Sequence, residues 1–292
     1  MTDTNAASIE RAAVLGAGTM GHGIAHVLAA CGVETRLFDV SEEAVARGLA
    51  KVEANLDKGV ARGKVTEEAR GAALANLSGA TVLDGAIDGV QVVIEAVPER
   101  MELKTGIFGE LGEKLDETVL LATNTSSLSI TEIADATRHP ERVVGMHFFN
   151  PVHIMKLVEV VRTERSSDAA ADLALGLARR MGKDPIDVRD APGFASSRLG
   201  IAIGMEAIRM VEEEVASAAD IDKAMTLGYG FPMGPLRLTD LVGLDVRLAI
   251  AEYLSGELGE RFTPPQLLRD MVARGELGKK SGQGFYDWTQ EG

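Results

Sequence analysis

Apolar positions along the chain fall into two textures. Through roughly the first 190 residues, short continuous apolar runs alternate with longer stretches of helical period. The apolar runs are "RAAVL", "VQVVIEAVPE", "TVLLAT" and "RVVGM", and "VETRLFD" is a further strand-like run. A run that is apolar without alternation suits a parallel strand covered on both faces. Between them, "SEEAVARGLAKVEANLDKGVARG", "TEEARGAALANL" and "MELKTGIFGELGEKL" read as helices. Ser41 and Thr66 each stand before acidic residues, as a helix N-terminus favours. Ser129 and Glu132 form a capping-box pattern for another helix. "IMKLVEVV" alternates instead, with Lys156, Val158 and Val160 on one face and Leu157, Glu159 and Val161 on the other. From about Asp190 only helical periodicity remains. Leu199, Ile203, Ala207, Met210 and Val211 form one stripe of a long buried helix, and Met205 and Met225 also read as core. The expectation is a doubly wound α/β domain over 1–189 and a mostly α-helical domain over 190–292. The cleft between them is the default ligand site.

The first strand runs into "GAGTMGHGIAHVLAACG", with glycines at 16, 18 and 21, and the second strand ends at Asp39. A glycine pattern alone is weak. Here it sits between a strand and a helix, and the acid follows at roughly the 20-residue distance of a Rossmann-like dinucleotide site. Gly16 permits the tight turn, Gly18 lets the backbone approach a pyrophosphate, and Gly21 allows close helix–strand packing. The helix N-terminus then faces the pyrophosphate with N–H groups and a positive dipole end. Asp39 is suited to accept the ribose hydroxyls and to repel a 2′-phosphate, which favours NAD over NADP.

Composition changes this picture only at its margins. The 292 residues are 46% hydrophobic and 25% charged, as in globular proteins, and no run is long enough to span a membrane. "MTDTNAASIE" is polar and acidic, unlike a targeting peptide, and the single cysteine, Cys31, suits a reducing compartment, so the expected location is the cytoplasm. A net charge of −14 argues against nucleic acid or anionic lipid as a partner. An anionic small ligand then needs local positive charge. The stretch with Lys51, Lys58, Arg62 and Lys64 can supply it, although such a stretch is commonly a solvated helix face with paired charges.

The chain has five histidines, and one lies in "GMHFFNPV", just after an apolar strand. Ligands of open α/β sheets lie beyond the carboxyl ends of the strands, a rule that collects Asp39, Glu99, Asn124, Ser126 and His147 on one edge. The alternation of "IMKLVEVV" puts Glu159 among apolar neighbours, where a carboxylate needs a partner. His147 is the evident one. A carboxylate on one ring nitrogen fixes the tautomer and makes the other a better base. His147 is thus the candidate general base, oriented by Glu159, with the Ser126 hydroxyl holding the oxygen whose proton is taken.

"LGAGTMGHGIA", "VIEAVPE", "TNTSSLSITEIA", "GMHFFNPV", "MKLVEVV", "APGF", "YGFPMGPLRLTDLVGLD" and "GKKSGQGFYDW" together resemble the short-chain L-3-hydroxyacyl-CoA dehydrogenase family, most of all its bacterial members acting on 3-hydroxybutyryl-CoA. The resemblance runs in order from about Arg11 to Trp288. It implies a homodimer with a helical C-terminal dimerisation domain, NAD as cofactor with no metal, and oxidation of the 3-hydroxyl of an acyl-CoA to the ketone. It carries the catalytic roles onto His147, Glu159 and Ser126. Cofactor contacts fall on Gly16, Gly18, Thr19, Met20 and Gly21, and on Asp39, Glu99, Lys104, Asn150 and Lys280. Asn55 and Arg62 become the CoA contacts. The chain departs from the family at Ser197, where many members have a substrate-contacting asparagine; a serine hydroxyl reaches less far. Two other readings compete. One is oxidation of a free hydroxy acid or sugar acid on this fold. The other is an NAD-binding scaffold without turnover, against which the intact Ser126, His147 and Glu159 set argues.

Overall fold

The continuous apolar runs become central strands of one sheet. In the computed structural model, which describes residues 6–289, the chain separates into two units, Met1–Ala191 and Pro192–Gly292. The first unit contains β1 (Arg11–Leu15), β2 (Glu34–Phe38), β3 (Leu77–Ala80), β4 (Val92–Glu95), β5 (Leu120–Thr123), β6 (Val143–Phe148), β7 (Leu157–Arg162) and β8 (Asp184–Arg189). Their spatial order is β3-β2-β1-β4-β5-β6-β7-β8. All neighbours from β3 to β6 are parallel, as the doubly wound expectation requires. β7 then runs antiparallel to β6, and β8 follows it in parallel. Strands β4, β5 and β6 are buried along their whole length, which is why they show no alternation.

The helices of this unit are α1 (Thr19–Ala30), α2 (Glu42–Ala61), α3 (Glu67–Ala75), α4 (Leu83–Ile87), α5 (Met101–Lys114), α6 (Ile130–Asp135) and α7 (Asp168–Arg180). Ser41, Thr66 and Ser129 cap α2, α3 and α6, each side chain accepting from the backbone N–H three residues on. Val14, Ile24, Leu28, Ile94, Met146 and Phe148 belong to the core between α1 and the sheet. Four elements of this unit have no counterpart in the sequence-based expectation, the five-residue α4 among them. β3 ("LSGA") and β8 ("DPIDVR") are edge strands, half-solvated and without an apolar run, and β8 tolerates Pro185 because an edge strand can spare a ladder bond. α7 buries a stripe made largely of alanine, a faint periodic signal.

The second unit is helical: α8 (Ser196–Glu212), α9 (Ala218–Lys223), α10 (Pro235–Val242), α11 (Leu244–Leu258) and α12 (Gln266–Ala273). Its core includes Ile201, Met205, Ile208, Leu236, Leu254 and Leu268. The helix at α8 is as expected, but its expected stripe is only partly buried: Ala207 lies in the core, as does Met205. Leu199 is 63% exposed and Ile203 lies open, while Met210, Val211 and Met225 are only half-buried. α8 is apolar around much of its circumference, so periodicity alone does not say which stripe faces its own core. Buried Asp240 clasps the glycine-rich tail, accepting from Phe285 N (3.0 Å), Tyr286 N (2.9 Å) and Trp288 Nε1 (2.8 Å). Among the described residues no helix is long and apolar enough to cross a membrane.

On α1, His26 is 7% exposed, its ring stacks on His153 with centroids 5.4 Å apart, and its Nδ1 has no hydrogen-bond partner. Burial, reinforced by the charges of His153, His22 and Lys183, pushes its pKa from 6.5 down to about 4. The unfolded chain therefore takes up this proton first as pH falls below 6.5, and stability is lost between there and about 4. Urea denaturation at pH 7 and pH 5 should show His26→Gln losing about 2 kcal/mol less than the unchanged protein over that interval. Equal losses would mean that His26 does not stay neutral in the fold.

Candidate active site

The antiparallel register of β6 and β7 sets His147 directly opposite Glu159. Directly opposed residues project to the same face, so the two side chains must meet. The distance from His147 Nδ1 to Glu159 Oε2 is 2.8 Å, with Glu159 0% and His147 8% exposed. The Phe149 ring lies tilted against the imidazole at 4.6 Å. Next along the sheet, Asn124 leaves the end of β5 and its Oδ1 accepts from Phe148 N (2.9 Å), tying the β5 loop to the end of β6.

Ser126 lies in that loop, which Glu99 organises. Glu99 Oε1 accepts from Thr125 Oγ1 (2.6 Å), Ser126 N (2.9 Å), Ser126 Oγ (3.2 Å) and Ser127 N (3.3 Å). Burial would raise the Glu99 pKa, but the Thr125 hydroxyl, the Lys104 charge and the Ser126 N–H together hold it below the ordinary glutamate value. Lys104, expected at the cofactor, presents almost no surface. Its ammonium is enclosed against Glu95 (2.7 Å) and Glu99 (3.4 Å), so Glu99 is its link to the ligand edge.

At the glycine turn the geometry accommodates a dinucleotide. Gly16 has φ +100°, and a Cβ there would lie 2.6 Å from Ala96 O. A Cβ on Gly21 would strike Gly16 O, whereas one on Gly18 would meet nothing within 4 Å. No neighbouring protein atom therefore requires glycine at position 18, and the open space is what a pyrophosphate needs. Gly18 is also the N-cap of α1 and offers no side-chain acceptor, while Thr19 and Met20 begin the helix. Asp39 Oδ2 accepts from Ala17 N (2.9 Å) and Oδ1 from Ser41 N (3.1 Å), which fixes the carboxylate beside the turn.

A groove of about 320 Å³ in the first unit brings Thr19, Lys51, Asn55, Lys58, Asn150 and His153 together. Arg62, the C-cap of α2, is exposed and outside this lining. Lys51, Lys58, Arg62 and Lys64 make no ion pair among the described residues, unlike Arg70, which binds Glu53 and Asp57. In the second unit, Ser197 is half-buried in the first turn of α8, and the Lys280 ammonium is bound by Asp245 at 2.5 and 2.6 Å.

Residues 11–191 match the model of the 3-hydroxyacyl-CoA dehydrogenase NAD binding domain, and residues 193–288 match that of the 3-hydroxyacyl-CoA dehydrogenase C-terminal domain. The chain belongs to the 3-hydroxyacyl-CoA dehydrogenase family. It is 44% identical to a probable 3-hydroxybutyryl-CoA dehydrogenase of Bacillus subtilis, over 97% of this chain and 99% of that one. It is 43% identical to the 3-hydroxybutyryl-CoA dehydrogenase of Clostridioides difficile, over 95% and 99%. Among solved structures, (S)-3-hydroxybutyryl-CoA dehydrogenase from Ralstonia eutropha superposes with a TM-score of 0.93 at 40% identity, covering 97% of this chain and 100% of that one. The first unit is thus the family's NAD-binding domain.

Within that domain, sequence reading passed over Thr123, Thr125 and Glu95. Glu95 left a signal: a carboxylate closing the buried run "VVIE" demands a partner, and Lys104 follows nine residues later. For cofactor choice, Asp39→Asn keeps an acceptor but removes the charge. It should raise the NADPH rate relative to NADH by roughly tenfold or more, since a like charge no longer opposes the 2′-phosphate. Steady-state rates with the two cofactors check this, and equal rates in the unchanged protein would refute the role.

Proposed function

We propose that the chain catalyses NAD-dependent oxidation of short L-3-hydroxyacyl-CoA thioesters, 3-hydroxybutyryl-CoA foremost, to 3-ketoacyl-CoA, and the reverse reduction. The observation that carries this reading is the buried His147–Glu159 pair at the carboxyl end of β6 in a chain of this family. Bound NAD supplies the hydride acceptor. With Nδ1–H donated to Glu159, the basic ring nitrogen is Nε2, and it takes the proton of the C3 hydroxyl. The carboxylate stabilises the imidazolium so formed. In the reverse direction the imidazolium returns that proton to the substrate oxygen, which the Ser126 hydroxyl helps to hold.

The turn from Gly16 to Gly21, including Gly18, Thr19 and Met20, would hold the pyrophosphate, and Asp39 the ribose. Glu99, Asn150 and Lys280 are the further cofactor contacts in this reading. Asn55 and Arg62 hold the CoA, supported by a basic helix face with uncommitted charge. Ser197 meets the acyl part with a shorter reach than an amide. A two-fold homodimer through the helical unit is supported by the exposed apolar side chains Leu199, Leu227, Tyr229 and Leu241. The single cysteine accords with a reducing cytoplasm.

NADH should be oxidised on addition of acetoacetyl-CoA and not of free acetoacetate. Turnover of the free acid at a comparable rate would favour the hydroxy-acid reading. The proton-transfer assignment is sharper. Glu159→Gln should keep the fold and NADH affinity while lowering kcat by roughly 10²- to 10⁴-fold. His147→Gln should cost a similar amount, and the double variant little more than either, since the two act as one unit. Losses that multiply in the double variant would show two independent residues. Unfolding with activity per folded molecule intact would reduce the pair to a core contact.

A further inference from the structure

Beneath the carboxyl ends of β4 and β5 lies an ion-pair network that the proton transfer itself does not use. Glu95 closes β4 at 0% exposure, and Lys104, in the first turn of α5, is 1% exposed. Charges so enclosed are costly unless each finds partners in place. Lys104 Nζ lies 2.7 Å from Glu95 Oε1 and 3.4 Å from Glu99 Oε2. Glu95 also accepts from Val97 N (2.7 Å) and, through Oε2, from Thr123 Oγ1 (2.7 Å), whose oxygen accepts from Thr125 N (3.2 Å). The network thus spans β4, the β4–α5 loop, α5, β5 and the loop that carries Ser126.

We infer that Lys104 is a positioning residue for the reaction: by bridging Glu95 and Glu99 it holds Glu99 where its carboxylate gathers the 125–127 loop through Thr125 Oγ1, Ser126 N and Ser127 N. Ser126 is placed in this way, and its one hydroxyl proton turns from Glu99 to the substrate oxygen when substrate is bound. The inference rests on Ser126 holding the substrate oxygen, as proposed above. Donors from Thr125, Ser126 and Ser127 converge on the single oxygen Oε1 of Glu99, an arrangement that an ionised carboxylate favours and a protonated one weakens. Of the ionisable groups packed around Glu99, Lys104 comes from α5 and Glu95, across Lys104, from β4; the 125–127 loop offers only hydroxyls and amides. Lys104 is therefore the cation that keeps Glu99 an acceptor against the pull of burial. A lysine that merely filled space would leave no trace in how the rate responds to acid.

The test follows acetoacetyl-CoA reduction by NADH from about pH 5 to about pH 8. In this direction His147 must already carry its proton, so acid does not disable it, and a loss of rate in acid reports carboxylates. The variants are Glu95→Gln/Lys104→Met, which removes both buried charges together and strands neither, and Glu99→Gln. The double variant should lose roughly tenfold in kcat at neutral pH, with KM for acetoacetyl-CoA little changed. Its rate should fall further toward about pH 5, as Glu99 without its neighbouring cation begins to take up a proton within this range, whereas the unchanged protein holds its rate there. Glu99→Gln should show a similarly low rate that does not respond to acid over this range. A folded double variant with a lower melting temperature but the wild-type response to acid makes Lys104 structural only and overturns the inference. If the double variant does not fold, Glu99→Gln decides alone, and a wild-type rate overturns the inference equally. An unchanged protein inactive on acetoacetyl-CoA ends the functional reading and this inference with it; an active one whose double variant keeps the wild-type response to acid ends this inference alone.

Discussion

A carboxylate inside a sheet covered on both faces must meet its partners at fixed positions, and the first unit satisfies that constraint twice. Glu159 meets His147 across a strand pair, and Glu95 meets Lys104 from the following helix. Neither acid has access to water that could offset a misplaced partner, and an enclosed charge left alone costs several kcal/mol. The geometry of the site is therefore not separable from the stability of the sheet. The reversal of direction at β7 is what allows the first pair. An antiparallel partner brings a residue twelve positions later directly opposite His147, whereas a parallel partner needs a crossover of a dozen or more residues before pairing begins.

The two pairs were not equally legible. Glu159 stood out because "IMKLVEVV" alternates, and alternation fixes which neighbours a side chain shares; the partner then had to come from the preceding strand. Glu95 closes a run without alternation, which shows that the strand is buried and nothing about where the acid's partner lies. Lys104 was expected only as a cofactor contact implied by the family resemblance, and the packing of α5 is what encloses it. The same limit explains α8: a period can be read from sequence, but the choice between two apolar stripes depends on what packs against them, so Leu199 was assigned to the core and lies open. Edge strands β3 and β8 escaped because they have little to bury, and pattern reading detects burial rather than backbone pairing.

Asp39 illustrates what local spacing carries well. A tight turn, a helix start and a strand end held in register by neighbouring ladders leave little freedom, so the acid's separation from the glycines sets its place in space. The bonds from Ala17 N and Ser41 N to its two oxygens show the same tightness from the other side. Glu99 is the contrast. Its place is set by a lysine in the next helix and by donors more than twenty residues away, none of which a local pattern connects.

The charge distribution poses a separate problem for an anionic ligand. A chain of net charge −14 repels a polyanion at distances beyond about 10 Å only in dilute salt, because ordinary ionic strength screens that range. Closer in, what matters is whether nearby cations are already committed. Arg70 is, to Glu53 and Asp57, while Lys51 and Lys58 make no ion pair among the described residues and face the groove that also holds Asn55. A cation already paired must give up its partner before it can serve a phosphate, and the exchange returns little net energy. Uncommitted lysines give their whole interaction to an incoming anion. One short basic stretch can therefore serve an acidic protein, provided its own carboxylates are turned to other partners, and on α2 Glu53 and Asp57 are turned to Arg70.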